Sequence, residues 1–543
     1  MFTRRQFLRR ASMGAATLAL AGQRSEAAFA PGVFRPRAPF KVLYSNDTTN
    51  INSCISPYHQ LGEPFTDDRL RATIDEAKGV DVHMLQPGLG WIPWWKSDIY
   101  PASEHYSSYQ RLYGWKPNSL GRYFLSGGDV VGTFVEHCRK KGIVPFISYR
   151  LNDGHHVREL AAALKAGRPS VSMSRFYWDN YRKYRIGPDP TDWGQGVLNW
   201  AIPEVRENKF ALIQEICRKY DIDGLELDFM RNFSYFRLDQ TPRDQRRAIM
   251  AAFVGRIREM LDRTAGQGRR RWLCARVPAW IDAHDALGID LVRFADSGVD
   301  MVNLSASYFT TQSTDLPEVV ARLPQTPVYL EMTHTPMTGP ALAGSGSQVF
   351  MRTTDQQFYT TAHLACSQGA SGVSLFNFVY YRYHVMPELG PFNEPPFHVL
   401  PRLRDPAWLA RQPQWYFLAA LSNKPKIRHR PLPVLVQPGA SREFSMEMAP
   451  TEHQARDGLL RIMAEKEMKD CRWRAEVNGV PLKPTAFVRK PIDHPYEGFL
   501  GEPGQYACFV CPRSAVRAGA NSVKVSLDQG SAVKLVYLDV TLP

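Results

Sequence analysis

Residues 223–231 read Asp-Gly-Leu-Glu-Leu-Asp-Phe-Met-Arg. Leu225, Leu227 and Phe229 alternate with Gly224, Glu226, Asp228 and Met230, the period-two pattern of a β-strand. If the apolar set packs on helices, Glu226 and Asp228 point together into the middle of a sheet or barrel. An unpaired charge there costs several kcal/mol or more, so such a pair is expected to be partnered or used. The plainer alternative is one acid facing a helix and one tied up in a structural ion pair.

Working outward, seven more β-like runs share this texture. The strand candidates are 41–46, 81–86, 143–150, 224–230, 272–277, 301–305, 328–333 and 373–378. Helix-like amphipathic stretches lie between them at 67–78, 129–141, 203–220, 242–263 and 354–367, with 408–421 after the last strand. Eight such units predict an α/β fold, a (β/α)8 TIM barrel, with insertions after strands two and three. Alternation places Asn303, Ser305, Tyr329, Glu331 and Thr333 in the lumen, so polar residues collect at the carboxyl ends of the strands. Barrel enzymes carry their sites at that end.

After Pro425 prolines cluster, helical periodicity stops and short alternating runs appear at 442–449, 459–464, 473–478, 505–511, 522–527 and 532–542. Turn signals such as Asn478-Gly479 separate them, which predicts a C-terminal all-β sandwich. The expected division is a signal peptide over 1–30, a barrel over 31–425 and a sandwich over 426–543.

The first thirty residues carry Thr3-Arg4-Arg5-Gln6-Phe7-Leu8, an apolar run over 11–21, and small residues ending Ala28-Phe29-Ala30. That order is the pattern of an export signal, and the paired arginines point to the twin-arginine export machinery. A periplasmic or secreted location is expected, without integral membrane association, because no later run has membrane length. The chain of 543 residues has a formal charge of +14; without residues 1–30, which hold five arginines and one glutamate, it is still +10. A basic exported protein suits an anionic polysaccharide or membrane surface. Nucleic acid is not expected, since no recognition helix, zinc finger or lysine-rich tail is present.

The eight cysteines are too few for a disulfide scaffold in so long a chain. Cys138, Cys217 and Cys366 read as core residues of helices, and the strand pair Cys508 and Cys511 as side chains facing opposite ways. His155, His156 and His334 lack the helical spacing of metal ligands, so neither a metal nor another cofactor is expected.

Asp228 and Glu331 end strands four and seven. This pairing resembles the retaining glycosidases that place an acid/base on strand four and a nucleophile on strand seven. Glycoside cleavage needs one protonated and one ionised carboxyl group, and Glu226, one layer below Asp228, would raise the pKa of one of the pair by repulsion. A lumen-facing Arg276 is the candidate counter-ion of Glu226. The runs 197–231 and 276–305 resemble the bacterial glycosyl-hydrolase-like barrel group near glycoside hydrolase family 10. The shared features are an asparagine-containing peptide before a helix, the Asp-Gly-x-x-x-Asp strand and a Gly-Ile-Asp phrase before strand six. The resemblance spans about residues 41–400 and implies a (β/α)8 fold, action on a glycan, and Asp228 as the strand-four acid. The chain departs from true family 10 enzymes in lacking their Asn-Glu pair, carrying Glu226 and Leu227 before the aspartate instead.

Aromatic side chains strengthen that expectation, because sugar C–H faces stack on rings while hydroxyls need planar polar partners. Trp91, Trp94 and Trp95 follow strand two and Tyr380 follows strand eight, with Asn303, Asn377, His155 and His334 as polar contacts. Arg150 and Arg231 are candidates to clamp a carboxylate or sulfate, or to neutralise the acids. The expected activity is hydrolysis of O-glycosidic bonds in a poly- or oligosaccharide by Asp228, Glu331 and Glu226. The alternatives are a non-catalytic glycan-binding barrel and a barrel lyase or amidase acting on cell-wall material.

Overall fold

The computed structural model describes residues 37–47, 56, 63–88, 92–341, 348–382, 394–421, 430–451, 456–496 and 501–543, without the side chains of 337–341 and 348–350. The export-like segment, Trp91 and Cys54 lie outside the described residues. Eight parallel strands close into a barrel: β1 (Val42–Asn46), β2 (Val82–Leu85), β3 (Val144–Arg150), β4 (Gly224–Asp228), β5 (Trp272–Pro278), β6 (Met301–Ser305), β7 (Val328–Thr333) and β8 (Gly372–Phe376). Each runs close to its expected boundaries. The register is continuous around the cylinder, from Arg150 opposite Asp228 and Asp228 opposite Arg276 to Arg276 opposite Asn303.

The surrounding helices include α1 (Asp67–Asp75), α2 (Val130–Lys140), α3 (Pro203–Lys219), α4 (Arg243–Thr264) and α5 (Asp355–Ser367). Helix start signals explain several of their boundaries. Thr66 and Asp129 each accept a backbone N–H of the first turn, and Thr354 forms a reciprocal cap with Gln357. Further helices at Ala102–Tyr113, Ser119–Leu125, Val157–Ala166 and Arg175–Tyr184 occupy the expected insertions after β2 and β3. Leu225, Leu227 and Phe229 all join the layer packed beneath the helices.

Apolar residues fill the other end of the lumen. Leu43, Val82, Met84, Phe146, Cys274, Met301 and Tyr329 form one cluster. Phe40 plugs it, meeting Phe146 and Trp272 edge-on at ring separations of 5.9 and 5.7 Å. The amino-terminal end of the cylinder is therefore packed hydrocarbon, and the polar lumen begins one layer above.

The C-terminal region forms two antiparallel sheets. One is ordered β9 (Gln414–Ala419), β18 (Val533–Leu542), β12 (Gly458–Ala464), β16 (Tyr506–Cys511), β15 (Lys483–Thr485), with β10 (Val434–Val436) also on β18. The other is ordered β11 (Ser441–Met448), β17 (Gly519–Gln529), β13 (Arg472–Val477), β14 (Val480–Pro481). Cys511 faces the core between the sheets and Cys508 the opposite side, as strand alternation requires, and among the described residues the cysteines are free thiols.

One expectation fails. Residues 408–421 are not a helix: a single turn at Pro406–Leu409 is followed by strand β9, paired antiparallel with β18. Tyr416 and Leu418 face the sandwich core while Trp415, Phe417 and Ala419 face a second cluster, so both sides are buried. A run buried on both faces loses the alternation that marks a strand. Thr360 of α5 accepts the Trp415 backbone N–H at 2.8 Å, which seats this sheet on the barrel's last helix.

Candidate active site at the carboxyl end of the barrel

Above the hydrocarbon layer, Arg276 organises the lumen. It donates to Glu331 through Nε at 2.6 Å and Nη2 at 2.7 Å, and to Asp228 Oδ1 through Nη1 at 3.0 Å. Its guanidinium also lies 4.0 Å from the centroid of the Phe376 ring. The rest of Glu331 is committed too, since Ser305 donates to Oε1 at 2.5 Å and Asn303 to Oε2 at 3.4 Å. A bidentate guanidinium–carboxylate pair of this kind is both strong and geometrically restrictive.

Glu226 sits a layer below and does not touch Arg276, contrary to the counter-ion assignment from sequence. Ser148 and Asn303 donate to its two oxygens at 2.6 and 3.1 Å, with the Cys274 thiol at 3.6 Å. Burial, assisted by the charge of Asp228, pushes its pKa up to about 7 against the pull of Arg276. The folded chain thus retains a proton that the unfolded chain releases near pH 4.5, so stability falls as pH rises through that window and levels off above it. Glu226→Gln is expected to flatten this slope and to be the more stable form at pH 8 by on the order of 3 kcal/mol. Parallel pH profiles of the urea midpoint for the two proteins would refute this.

Asp228 is held differently. Its Oδ1 accepts the Met230 backbone N–H at 2.8 Å besides Arg276, but among the described residues Oδ2 has only Gln86 at 3.5 Å and Arg150 Nε at 3.9 Å. Arg150 is occupied elsewhere, paired with Asp47 at 3.0 Å and Asp153 at 3.1 Å. Burial alone would raise the pKa of both aspartates; the guanidinium of Arg150, joined at Asp153 by His155, holds them well below the ordinary range. Asn377 ends β8 at a φ of 52° and accepts the Asp47 backbone N–H at 2.8 Å, locking the β1 and β8 ends together.

Nearer solvent, Asp153 Oδ1 meets His155 Nδ1 at 2.5 Å, and His155 Nε2 meets Arg231 at 2.5 Å. Burial, then the charge of Arg231, lowers the pKa of His155. Arg231 also donates to the Tyr308 hydroxyl and lies between the Tyr308 and Trp193 rings. His334 is buried with its ring centroid 5.4 Å from that of half-buried Tyr380, and burial lowers its pKa as well.

The structure therefore brings together Asp228, Glu226, Glu331, Arg276, Asn303, Arg150, His155 and Arg231. Trp94 and Trp95 do not join them. Both are buried among the insertion helices, Trp94 beside Phe124 and Trp95 donating to Glu215 Oε2 at 2.8 Å, because a long loop needs its own apolar filling. Asp47, Asp153, Trp193 and Tyr308 were not expected from the sequence, and Ser305 was expected in the lumen without a role at the site. Carrying the alternation of β1 one step beyond Ser45 reaches Asp47; nothing comparable marks Trp193 or Tyr308, which loops deliver.

No family model matches the chain, and no curated protein matches it. Solved structures that match the chain include glycoside hydrolases. An α-L-fucosidase from Paenibacillus thiaminolyticus is 14% identical over 90% of this chain and 97% of its own, with a TM-score of 0.36. Chitinase ChiA74 from Bacillus thuringiensis is 8% identical over 92% and 100%, with a TM-score of 0.38. A Group IV chitinase from Ostrinia furnacalis is 11% identical over 67% and 98%, with a TM-score of 0.36. Likenesses this distant carry no assignment of activity, and the barrel rests on its own strand register.

Proposed function

We propose that this chain is an exported glycoside hydrolase that cleaves O-glycosidic bonds of a poly- or oligosaccharide, with Asp228 as the working carboxylate once the bound glycan opens a path to that fully buried side chain. The observation that carries this reading is the asymmetry of the two acids. Both oxygens of Glu331 are saturated by Arg276, Ser305 and Asn303, whereas Oδ2 of Asp228 keeps acceptor capacity. Asp228 then serves as nucleophile or as stabiliser of an oxocarbenium-like transition state. Glu331 acts by fixing Arg276, which in turn holds Asp228 Oδ1 in place. Export rests on the arginine-rich amino terminus, and among the described residues no helix is long and apolar enough to cross a membrane.

The same network favours a second reading, a glycan-binding barrel without turnover, because one guanidinium bridges the two carboxylates that hydrolysis was expected to use. A panel of plant, algal and cell-wall glycans, neutral and acidic, separates the two. New reducing ends appear with at least one polymer if the chain hydrolyses; saturable binding with no product from any of them would overturn the hydrolase reading.

A further inference from the structure

Among the arginines at the mouth of the barrel, Arg231 stands apart. Arg276 touches Asp228 and Glu331, and Arg150 touches Asp47 and Asp153. Arg231 has no carboxylate within ion-pair reach among the described residues; its hydrogen-bond partners there are the Tyr308 hydroxyl and His155 Nε2. A guanidinium carries five N–H donors, so most of them remain unused, and Nε is buried without a partner. Asp47 and Asp153 act on it only through space, and each is already paired with Arg150.

The surroundings hold this cation in place. The Tyr308 and Trp193 rings flank it at 5.2 and 5.5 Å, and Asn232 donates to the Trp193 carbonyl at 2.8 Å, tying that ring to the segment that follows β4. Ser307 adopts a φ of 67° and gives its N–H to Ser305 at 2.9 Å, a strained turn that delivers Tyr308 to Arg231. Arg231, Tyr308, Trp193 and His155 are all half-buried, so the assembly faces the opening rather than the core. Burial, then the charge of Arg150, lowers the pKa of Arg231 to about 10, the direction expected of a cation short of negative partners.

We propose that Arg231 recognises an anionic substituent, a carboxylate or sulfate, on the glycan bound at this mouth, with Trp193 and Tyr308 supplying ring surface for the sugar that bears it. A planar or tetrahedral oxyanion fits the free donors of the guanidinium as a neutral hydroxyl does not. The inference rests on the glycan reading above and narrows it to uronic or sulfated polymers, in keeping with the basic balance of the chain.

The test is calorimetric titration of the full chain with three oligosaccharides: an oligogalacturonate, its carboxyl-reduced galactose counterpart, and a sulfated galactan. The expected result is that at least one charged ligand binds at least about tenfold more tightly than the reduced one, and that this preference weakens as salt rises. Arg231→Gln abolishes the preference and Arg231→Lys keeps part of it. Equal affinity for charged and reduced ligands, binding of neither charged ligand, or a preference that survives Arg231→Gln would overturn the proposal. If Arg231→Gln does not fold, the comparison of ligands on the unaltered chain decides. Failure of the hydrolase reading leaves this titration intact, while equal binding and cleavage of neutral polymers would remove the anion site and leave hydrolysis standing.

Discussion

Arg276→Leu is expected to cost the folded state about 3–5 kcal/mol, the penalty of leaving buried charges without their partner. The leucine removes a cation that bridges Asp228 to Glu331 and acts at longer range on Glu226, all fully enclosed. Against a total stability of about 5–15 kcal/mol for an ordinary domain, a loss of that size leaves little soluble protein. The deficit shrinks in acid, where the orphaned carboxyls can take up protons. Arg276→Lys restores the charge but not the two-pronged bond to Glu331, and falls between the two. Urea unfolding at pH 5 and pH 8 measures all three proteins; a leucine variant as stable as the parent would mean that the lumen does not depend on this guanidinium.

Asp228→Asn is expected to leave folding nearly untouched and to lower turnover at least about a hundredfold on any glycan the parent cleaves. The amide oxygen can still accept from Met230 and Arg276 at the position of Oδ1. The amide nitrogen then faces Gln86, whose Oε1 is buried without a partner, so a side-chain flip supplies an acceptor. Loss of rate without loss of melting temperature separates chemistry from packing, and parental rates would take Asp228 out of the mechanism. Glu331→Gln is a poorer probe, because it breaks the bidentate bond and disturbs stability and activity together.

Much of the barrel was legible because the helices dictate one face of each strand. Leu225, Leu227 and Phe229 had to meet helical side chains, which left Glu226 and Asp228 no direction but inward. The strand at Gln414–Ala419 was not legible for the opposite reason: each of its faces meets a different hydrophobic layer, and its residues carry no polar marker. Pairing inside the lumen was also beyond the pattern. Alternation says that Arg276 points inward, but the stagger of the strands decides that it meets Asp228 beside it and Glu331 two strands away rather than Glu226 one layer below. The tryptophans after β2 misled because a sugar platform and the filling of a long loop use the same residue type. Asp153, Trp193 and Tyr308 reach the mouth through loop geometry, which period-two reasoning does not extend to.

The antiparallel register of Gln414–Ala419 with Val533–Leu542 has a kinetic consequence. These partners lie at opposite ends of the C-terminal region, so the loop between them must close before either can reward the other, and such distant pairings form slowly. Closing the barrel joins partners still farther apart, Val42 and Val373, so the Trp415 edge is expected to stay unpaired and open to self-association while both closures wait.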